Sequence, residues 1–348
     1  MEIAIVFGGS SFEHEISIVS AITLKKVFKK HSTKFIFVDK NREFFLIEPE
    51  NMKAKFFSTG EYKKSKTLIL KSGGFFIQGL LGTKKVEFDV ILNLIHGRDG
   101  EDGKLASMFE FFGIKFIGPR IEGSVISYNK LFTKMMAKEL GINTIDYQLL
   151  KKNQERKIDL KYPLIIKPLR LGSSIGVSIV KEESELDYAL DVAFEFDDEV
   201  LIENFIEGIK EYNLAGAKTT AWEFSILEEP QKDDFLDFEK KYLDFSRDEK
   251  VKEAVIDTSL KEEMEKIFKK IYDPLFLGSI IRCDFFVKDK KIYLNEINPI
   301  PGSMANYLFS DFEDMIERLS NTLPSEKIIS IDYKYIDEIH SAKGKASQ

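Results

Sequence analysis

Arg282 and Asp284 on one segment, and Glu296 and Asn298 on the next, are the residues in this chain whose types and spacing best suit chemistry. The segments 280–287 and 292–298 are rich in β-branched and aromatic residues, and Lys288-Asp289-Lys290-Lys291 between them reads as a polar turn, which predicts a hairpin. Side chains alternate along a strand, so Arg282 shares a face with Asp284, and Glu296 shares one with Asn298. The two pairs meet on a common face if the turn has an odd number of residues; a turn over 289–291 sets Asp284 opposite Glu296. Two carboxylates and an amide oxygen then cluster beside a guanidinium, an oxygen set that suits Mg²⁺. The other reading is an acidic pair on a solvated hairpin face, and the rest of the chain weighs between the two.

A second chemical stretch is Lys167-Pro168-Leu169-Arg170-Leu171-Gly172-Ser173-Ser174-Ile175-Gly176. A strand-end lysine followed by a hydroxyl-rich loop between glycines makes a mobile phosphate cover. Glycines let the backbone approach phosphate oxygens, and serines add donors. A third is the loop His96-Gly97-Arg98-Asp99-Gly100-Glu101-Asp102-Gly103, which follows a buried strand within 86–94. Ligands bind at such strand ends in α/β sheets. At the start of the chain, the apolar run 3–7, then Gly8-Gly9-Ser10-Ser11 and a helical pattern to Val27 put backbone N–H groups at a helix start. The dinucleotide fingerprint is absent there. Glu13 and Glu15 taken singly need do no more than serve the helix dipole.

The elements that must position these groups fall in two styles. Up to residue 118 the pattern is strand–helix–strand, interrupted over 41–87 by aromatic runs between Gly and Lys clusters, which read as added hairpins. A helix over 127–140 follows, carrying Lys130 and Lys134. Short strands then surround one helix over 184–194, and further strands lead to a helix boxed by Ser259 and Glu262. Segment 238–246 reads as an exposed loop, a last helix starts at Ser310 with Glu313 as its box partner, and the tail beyond Ile339 reads as disordered. This is an α/β region followed by α+β regions.

With 348 residues, 43% of them apolar, the chain can fill more than one core. A net charge of −7 argues against a general binder of nucleic acid or anionic membranes. No run of about 18 apolar residues occurs and a strand pattern begins at once, so neither a membrane span nor a signal peptide is expected. The single cysteine, Cys283, rules out an intrachain disulfide and fits the cytoplasm. The four histidines have no metal-site spacing.

Taken in order, these motifs resemble the D-alanine–D-alanine ligases of the ATP-grasp superfamily. The matching stretches are 7–17, the loop 96–103, Ser127-Tyr128-Asn129-Lys130, Ile166-Lys167-Pro168 with 172–176, 200–203, Lys241-Tyr242, Arg282-Cys283-Asp284, and Asn295-Glu296-Ile297-Asn298 with Pro301-Gly302. They span nearly the whole chain except the 41–87 insertion and the tail.

The resemblance implies an ATP-grasp fold behind an N-terminal Rossmann-like α/β domain. It divides the chain into 1–118 (substrate-binding), 119–205 (central lid), 206–340 (metal and oxyanion site) and a tail over 341–348. It implies ATP-dependent joining of two D-alanines for peptidoglycan, with two Mg²⁺ ions, replaceable by Mn²⁺, in a cytoplasmic homodimer. By the match, Lys130, Lys167, Ser174 and Lys241 meet phosphates, while Glu203 and the Ile206 backbone meet adenine and Glu211 the ribose. Asp284, Glu296 and Asn298 match the metal ligands, and Arg282 with the Gly302 N–H matches the oxyanion donors. Glu13 matches the carboxylate for the first substrate's ammonium, linked to the cover through Ser173 and Tyr242, and His96 is on the substrate side. One position departs: Tyr307 stands where the family has a serine for the second substrate's carboxylate, which offers Ser303 or Asn306 as a substitute. Other expectations from the same motifs are an ATP-grasp ligase using D-lactate or D-serine, or an ATP-binding module without turnover. The full set of lysines, metal ligands and Arg282 speaks against the last.

Overall fold

The computed structural model describes residues 1–79, 82–230, 251–325, 327 and 329–343. Lys241, Tyr242 and the expected loop over 238–246 lie outside the described residues.

The first sheet is built outward from a fully apolar centre. Strand β1 (Glu2–Gly8) pairs in parallel with β2 (Ser32–Val38) and also with a strand at Val90–Asn93. Helix α1 (His14–Val27) returns the chain across one face. The insertion is a meander: β3 (Phe44–Ile47), a short helix α2 (Ala54–Ser58), β4 (Lys66–Lys71), β5 (Gly74–Gly79) and β6 (Gly82–Lys85) add antiparallel strands to the edge of β2. The aromatic runs read as hairpins thus extend the sheet, with Phe45 and Phe75 buried. Arg42, at the head of the meander, forks onto both oxygens of Asp99 at 3.0 Å, tying the insertion to the 96–103 loop. Strand β7 (Val90–Asn93), helix α3 (Lys104–Phe111) and β8 (Phe116–Ile117) complete the sheet in the order β6-β5-β4-β3-β2-β1-β7-β8.

The helix expected over 127–140 is two helices. Asn129 separates α4 (Ile121–Tyr128) from α5 (Lys130–Glu139), and its side chain accepts from the N–H groups of Leu131 and Phe132. An Asn in extended backbone is a strong N-cap, and it overrides the continuous apolar period. Beyond it a four-stranded antiparallel sheet forms from β9 (Tyr147–Lys151), β10 (Leu164–Pro168), β11 (Ser178–Val180) and β12 (Glu199–Asn204), backed by α6 (Leu186–Phe194). Leu164, Ile166, Leu190 and Ile202 fill its own core.

A third sheet follows: β13 (Lys210–Lys218), β14 (Trp222–Phe224), then helix α7 (Thr258–Leu275), β15 (Ile281–Lys288) and β16 (Lys291–Asn298), in the order β14-β13-β15-β16. Helix α7 buries Met264, Phe268, Ile271 and Tyr272 against this sheet. The box expected at Ser259 does not form, because the cap residue is Asp257 and makes no side-chain cap bond. After a tight turn over 302–308 come α8 (Phe312–Ser320) and α9 (Lys334–Lys343). Helix α8 starts after Asp311, and Glu313 caps no box of its own; its carboxylate takes the N–H groups of Lys29 and Lys30. Of the tail expected to lack structure, residues 340–343 belong to α9, and 344–348 lie outside the described residues. One apolar core joins Ile18, Ala21 and Leu24 of α1 to Met304, Phe312 and Ile316, so the first and last parts of the chain pack as one unit. Among the described residues no helix is long and apolar enough to cross a membrane.

Candidate active site

The hairpin β15–β16 carries its polar pairs on one face, by a route different from the one the sequence suggests. The turn is two residues, Asp289 and Lys290, both with positive φ (49° and 62°), so Lys288 pairs with Lys291. That register alone would set Asp284 opposite Asn295. Instead the ladder shifts: Phe285 pairs with Leu294, but Asp284 pairs with Glu296 and Arg282 with Asn298. Asn295 is the extra residue of a β-bulge, where two residues on one strand oppose a single partner. The odd residue that parity requires therefore sits in the strand.

Arg282 donates from Nε and Nη2 to the two oxygens of Asp284 at 2.7 and 2.8 Å, and Asn298 Nδ2 donates to Asp284 Oδ2 at 2.9 Å. Burial pushes the Asp284 carboxyl up to about 7, with Arg282 opposing and Glu296 adding to the rise. Asp284 is thus a carboxylate whose ionised form lacks enough positive charge around it. Two carboxylates and an amide on one face fit a hard divalent cation bound through oxygen. No cluster of three or more His, Cys, Asp or Glu occurs among the described residues, so the amide of Asn298 is needed to make a third donor.

Facing this hairpin is the end of β10. Lys167 Nζ reaches Asn295 Oδ1 at 3.3 Å and Glu203 Oε2 at 2.6 Å. Glu203 Oε1 is held by Lys134, buried on α5, which also donates to the Ile145 carbonyl at 3.1 Å. Burial alone would raise the Glu203 pKa, but Lys167 and Lys134 override it and hold the carboxyl at about 2. Both Glu203 oxygens are thus taken by lysines, whereas the resemblance gives this residue to adenine. Lys130 donates to the Leu171 carbonyl and lines a small space of about 40 Å³ with Glu101, Gly172, Glu296 and Asn298. Burial lowers its pKa first, and neighbouring Lys167 adds to that. Glu211 lines a larger open cleft of about 550 Å³ with Gly208, Ile209 and Lys252. Ile206 lies in the turn between β12 and β13.

Glu13 stands at the N-cap of α1 but makes no cap bond. Its carboxylate turns into the cleft instead. Ser173 Oγ donates to its Oε1, while its Oε2 is buried with no hydrogen-bond partner. Gly97 and Gly172 leave room for it. A Cβ on Gly97, whose φ is 68°, would lie 2.4 Å from Glu13 Oε2, and one on Gly172 would lie 2.9 Å from Oε1. Burial raises the Glu13 pKa, against the Ser173 hydrogen bond and Lys130. Ser173 and Ser174 both have positive φ (58° and 57°), a strained cover pressed onto the cleft. Glu101 lies close by, partly buried, and its pKa is raised well above the usual carboxylate range, by burial and then by Glu13.

Past the hairpin, Gly302 opens a turn in which Ser303, Met304 and Ala305 all have positive φ (48°, 55° and 51°). Ser303 is 1% exposed, and its hydroxyl is buried with no partner. His96 is buried, with Nε2 3.0 Å from Ser20 Oγ. Tyr307 is half-exposed, its hydroxyl 3.4 Å from Glu228 Oε2, which also accepts from Asn213 Nδ2 at 3.1 Å.

The structure therefore brings Glu13, Ser173, Lys130, Lys167, Arg282, Asp284, Glu296 and Asn298 to one cleft. It sets Ser303 in the interior and Glu203 behind the lysines. The residues missed from sequence are Lys134, Glu101 and Asn295. Lys134 lies one helical turn from Lys130, Glu101 lies within the charged loop, and Asn295 is the residue that parity demanded.

A cleft that sets a lysine of one antiparallel sheet and lysines of a helix against acidic groups of another such sheet, beside an α/β sheet, is that of an ATP-grasp ligase. The model for the D-ala D-ala ligase N-terminus matches residues 2–119, and that for the C-terminus matches 136–339. A D-alanine–D-alanine ligase of Sulfurovum sp. (strain NBC37-1) is 66% identical over 99% of this chain and 100% of its own, and that of Campylobacter jejuni (strain ATCC 700819 / NCTC 11168) is 56% identical over the same shares. The crystal structure of the enzyme from Helicobacter pylori is 51% identical, with a TM-score of 0.84 over 94% of this chain and 100% of that one. The chain belongs to the D-alanine–D-alanine ligase family, ATP-dependent enzymes that use a divalent metal and serve peptidoglycan synthesis.

Proposed function

We propose that this chain joins two D-alanine molecules at the expense of ATP, through a D-alanyl phosphate, and that the residues of the cleft divide the work as follows. The observation that carries the reading is Glu13: a buried carboxylate with one oxygen held by Ser173 and the other without a partner is an acceptor for a substrate ammonium. An ammonium anchored there presents its own carboxylate toward Lys130 and the hairpin.

A carboxylate is a poor electrophile, so its oxygen first takes the γ-phosphoryl group and ADP leaves. Lys130 and Lys167 meet the phosphates, with Lys241 as a further contact and Ser174 closing over them. Glu211 and the Ile206 backbone serve the ribose and the base. Glu203 meets the adenine beside Ile206 and also fixes Lys167 and Lys134. Asp284, Glu296 and Asn298 would hold two Mg²⁺ ions, with Mn²⁺ as a substitute. When bound, the metal neutralises charge on the transferring group. The amine of the second D-alanine then attacks the carbonyl, inorganic phosphate leaves and a proton is released. Arg282 and the Gly302 N–H meet the oxyanion formed on the way, while Ser173 and Tyr242 orient the amine. Tyr307 borders the second substrate's side, with His96 on the first.

This reading divides the chain at 1–118, 119–205 and 206–340, in keeping with the three separate sheets. It extends to a cytoplasmic homodimer acting on small molecules, without nucleic acid or membrane. The test is ADP release and product mass over D-alanine, D-serine and D-lactate as second substrate. D-Alanyl-D-alanine as the main product upholds it; preference for the hydroxy acid or for D-serine overturns the choice of nucleophile.

A further inference from the structure

Helix α1 carries Glu13 at its start and, about two turns on, a buried serine that no step above uses. Ser20 is 0% exposed, and its hydroxyl joins two parts of the chain that are remote in sequence. It accepts from the Ser303 N–H at 3.1 Å and lies 3.0 Å from His96 Nε2. Both contacts are met together: Ser303 N–H donates to Ser20 Oγ, and the hydroxyl either donates to Nε2 or accepts from it, according to the imidazole tautomer. Burial draws the His96 pKa down to about 4, against a hydrogen bond to the Ile300 backbone, so the ring is neutral at ordinary pH.

The turn that this chain of bonds holds is unusual. Three consecutive non-glycine residues sit in left-handed backbone, a conformation that persists only where the surroundings impose it. Met304 supplies part of that constraint through the core shared with Ile18, Ala21 and Leu24. The serine hydroxyl at 303 supplies none, being buried without a partner; the polar restraints are the Met304 N–H on the Pro301 carbonyl at 2.7 Å, Asn306 Nδ2 on the Ser303 carbonyl at 2.9 Å, and the Ser303 N–H on Ser20, which alone ties the turn to α1. Gly302, whose amide is the oxyanion donor of the reading above, opens this same turn.

We propose that Ser20 and His96 are positioning residues that help aim the Gly302 N–H by anchoring the adjoining Ser303 N–H, and with it the turn, to α1. The proposal rests on the oxyanion role of Gly302. It also gives His96 a structural partner in place of a direct contact with substrate. An oxyanion donor matters in the transition state and little in the ground state, so misaiming it lowers kcat and leaves KM in place.

The experiment compares Ser20→Ala, His96→Leu, His96→Gln and the double variant Ser20→Ala/His96→Leu with wild type, measuring dipeptide formation with the KM for ATP and D-alanine. The two single variants lacking a partner should lose about tenfold or more in kcat, with each KM within about twofold. Gln sets an amide near the position of Nε2 and should recover most of what Leu loses. The double variant should fall no further than the worse single one, because both cut the same chain of bonds. His96→Leu raising KM for D-alanine at unchanged kcat overturns the proposal in favour of substrate contact, and additive losses overturn the relay. If Ser20→Ala does not fold, the Leu-against-Gln comparison at His96 decides alone, and equal losses there count against the relay. A wild-type chain that forms no dipeptide overturns the functional reading, and the relay with it. A wild type that ligates beside a Ser20→Ala that ligates equally fast overturns only the relay.

Discussion

Asp284 faces Glu296 across the β15–β16 ladder because Asn295 bulges out of the strand beside them. The bulge sets an extra residue on the cleft side, and that residue meets Lys167 at 3.3 Å. One irregularity thus links the proposed cation ligands to the lysine proposed to meet phosphate. Glu296→Gln keeps the shape and removes a charge, so the fold should survive while ligation at ordinary Mg²⁺ falls by about 100-fold or more. Near-normal turnover in a folded variant removes Glu296 from the metal site.

Metal binding here should depend on pH. The Asp284 carboxyl rises from 3.8 to about 7 in the folded chain, first through burial. The folded state then holds a proton that the unfolded chain has lost over that interval, so metal-free stability rises as pH falls from 8 toward 5. A cation needs the ionised carboxylate and competes with that proton. Its affinity should weaken by up to about tenfold per pH unit below 7 and level off above. Thermal melts with and without Mg²⁺ should show a larger shift at pH 8 than at pH 6. Equal shifts at both would separate Asp284 from the metal.

Glu203 should matter for stability before it matters for catalysis. Glu203→Gln leaves buried Lys134 and Lys167 around a neutral amide, and breaking such a buried pair from one side costs about 3–5 kcal/mol. Held at about 2, the native carboxyl contributes stability above its ordinary pKa near 4.5, and that contribution fades as pH falls from there toward 2. In the variant, Mg²⁺ and ATP together should restore part of the lost melting temperature, since phosphate supplies charge to Lys167. A variant that melts like wild type would show that the two lysines do not need this carboxylate.

The hairpin, the serine-rich loop after β10 and the charged loop were legible because each is a local pattern of residue types, and the parity of the hairpin even required an odd residue. What parity could not say was where that residue sits. A three-residue turn and a two-residue turn with a bulge satisfy it equally, and left-handed Asp289-Lys290 chose the second. The apparent capping box at Ser310 failed for a different reason. Glu313 is claimed by the N–H groups of Lys29 and Lys30, a contact no sequence window contains. The surroundings of Glu203 are hidden from sequence in the same way. Its strand was evident, but the two lysines that close on it come from β10 and α5.

The cover should report the substrates. Ser173 and Ser174 hold left-handed backbone, with Ser173 tied to Glu13 across the cleft. Amide exchange over 170–176 should slow when ATP and D-alanine are both present, as a closing lid requires. Ser173→Ala should lose that slowing while the global melting temperature stays close to wild type. Exchange that is indifferent to both ligands would leave these residues a static loop.

Tyr307 bears on the second substrate. Its hydroxyl lies 3.4 Å from Glu228 Oε2, which also takes the Asn213 amide, and Arg282 bears on the same phenol. A phenol has one proton to donate, here directed at Glu228, and a substrate carboxylate arriving beside Arg282 competes for it. Tyr307→Phe removes that donor and little volume, and the residue is half-exposed, so folding should hardly change. A hydrogen bond to a charged group is worth about 1.5–3 kcal/mol, so the KM for the second D-alanine should rise by roughly tenfold or more. The KM for ATP and for the first D-alanine, anchored at Glu13, should stay put. Tyr307→Ser offers a shorter donor in a wider space and should recover part of the loss. Initial rates at saturating ATP over a wide range of D-alanine separate the two amino-acid constants. If Tyr307→Phe leaves the second constant where it was, the carboxylate of the second substrate is held elsewhere, and Asn306 is the next residue to change.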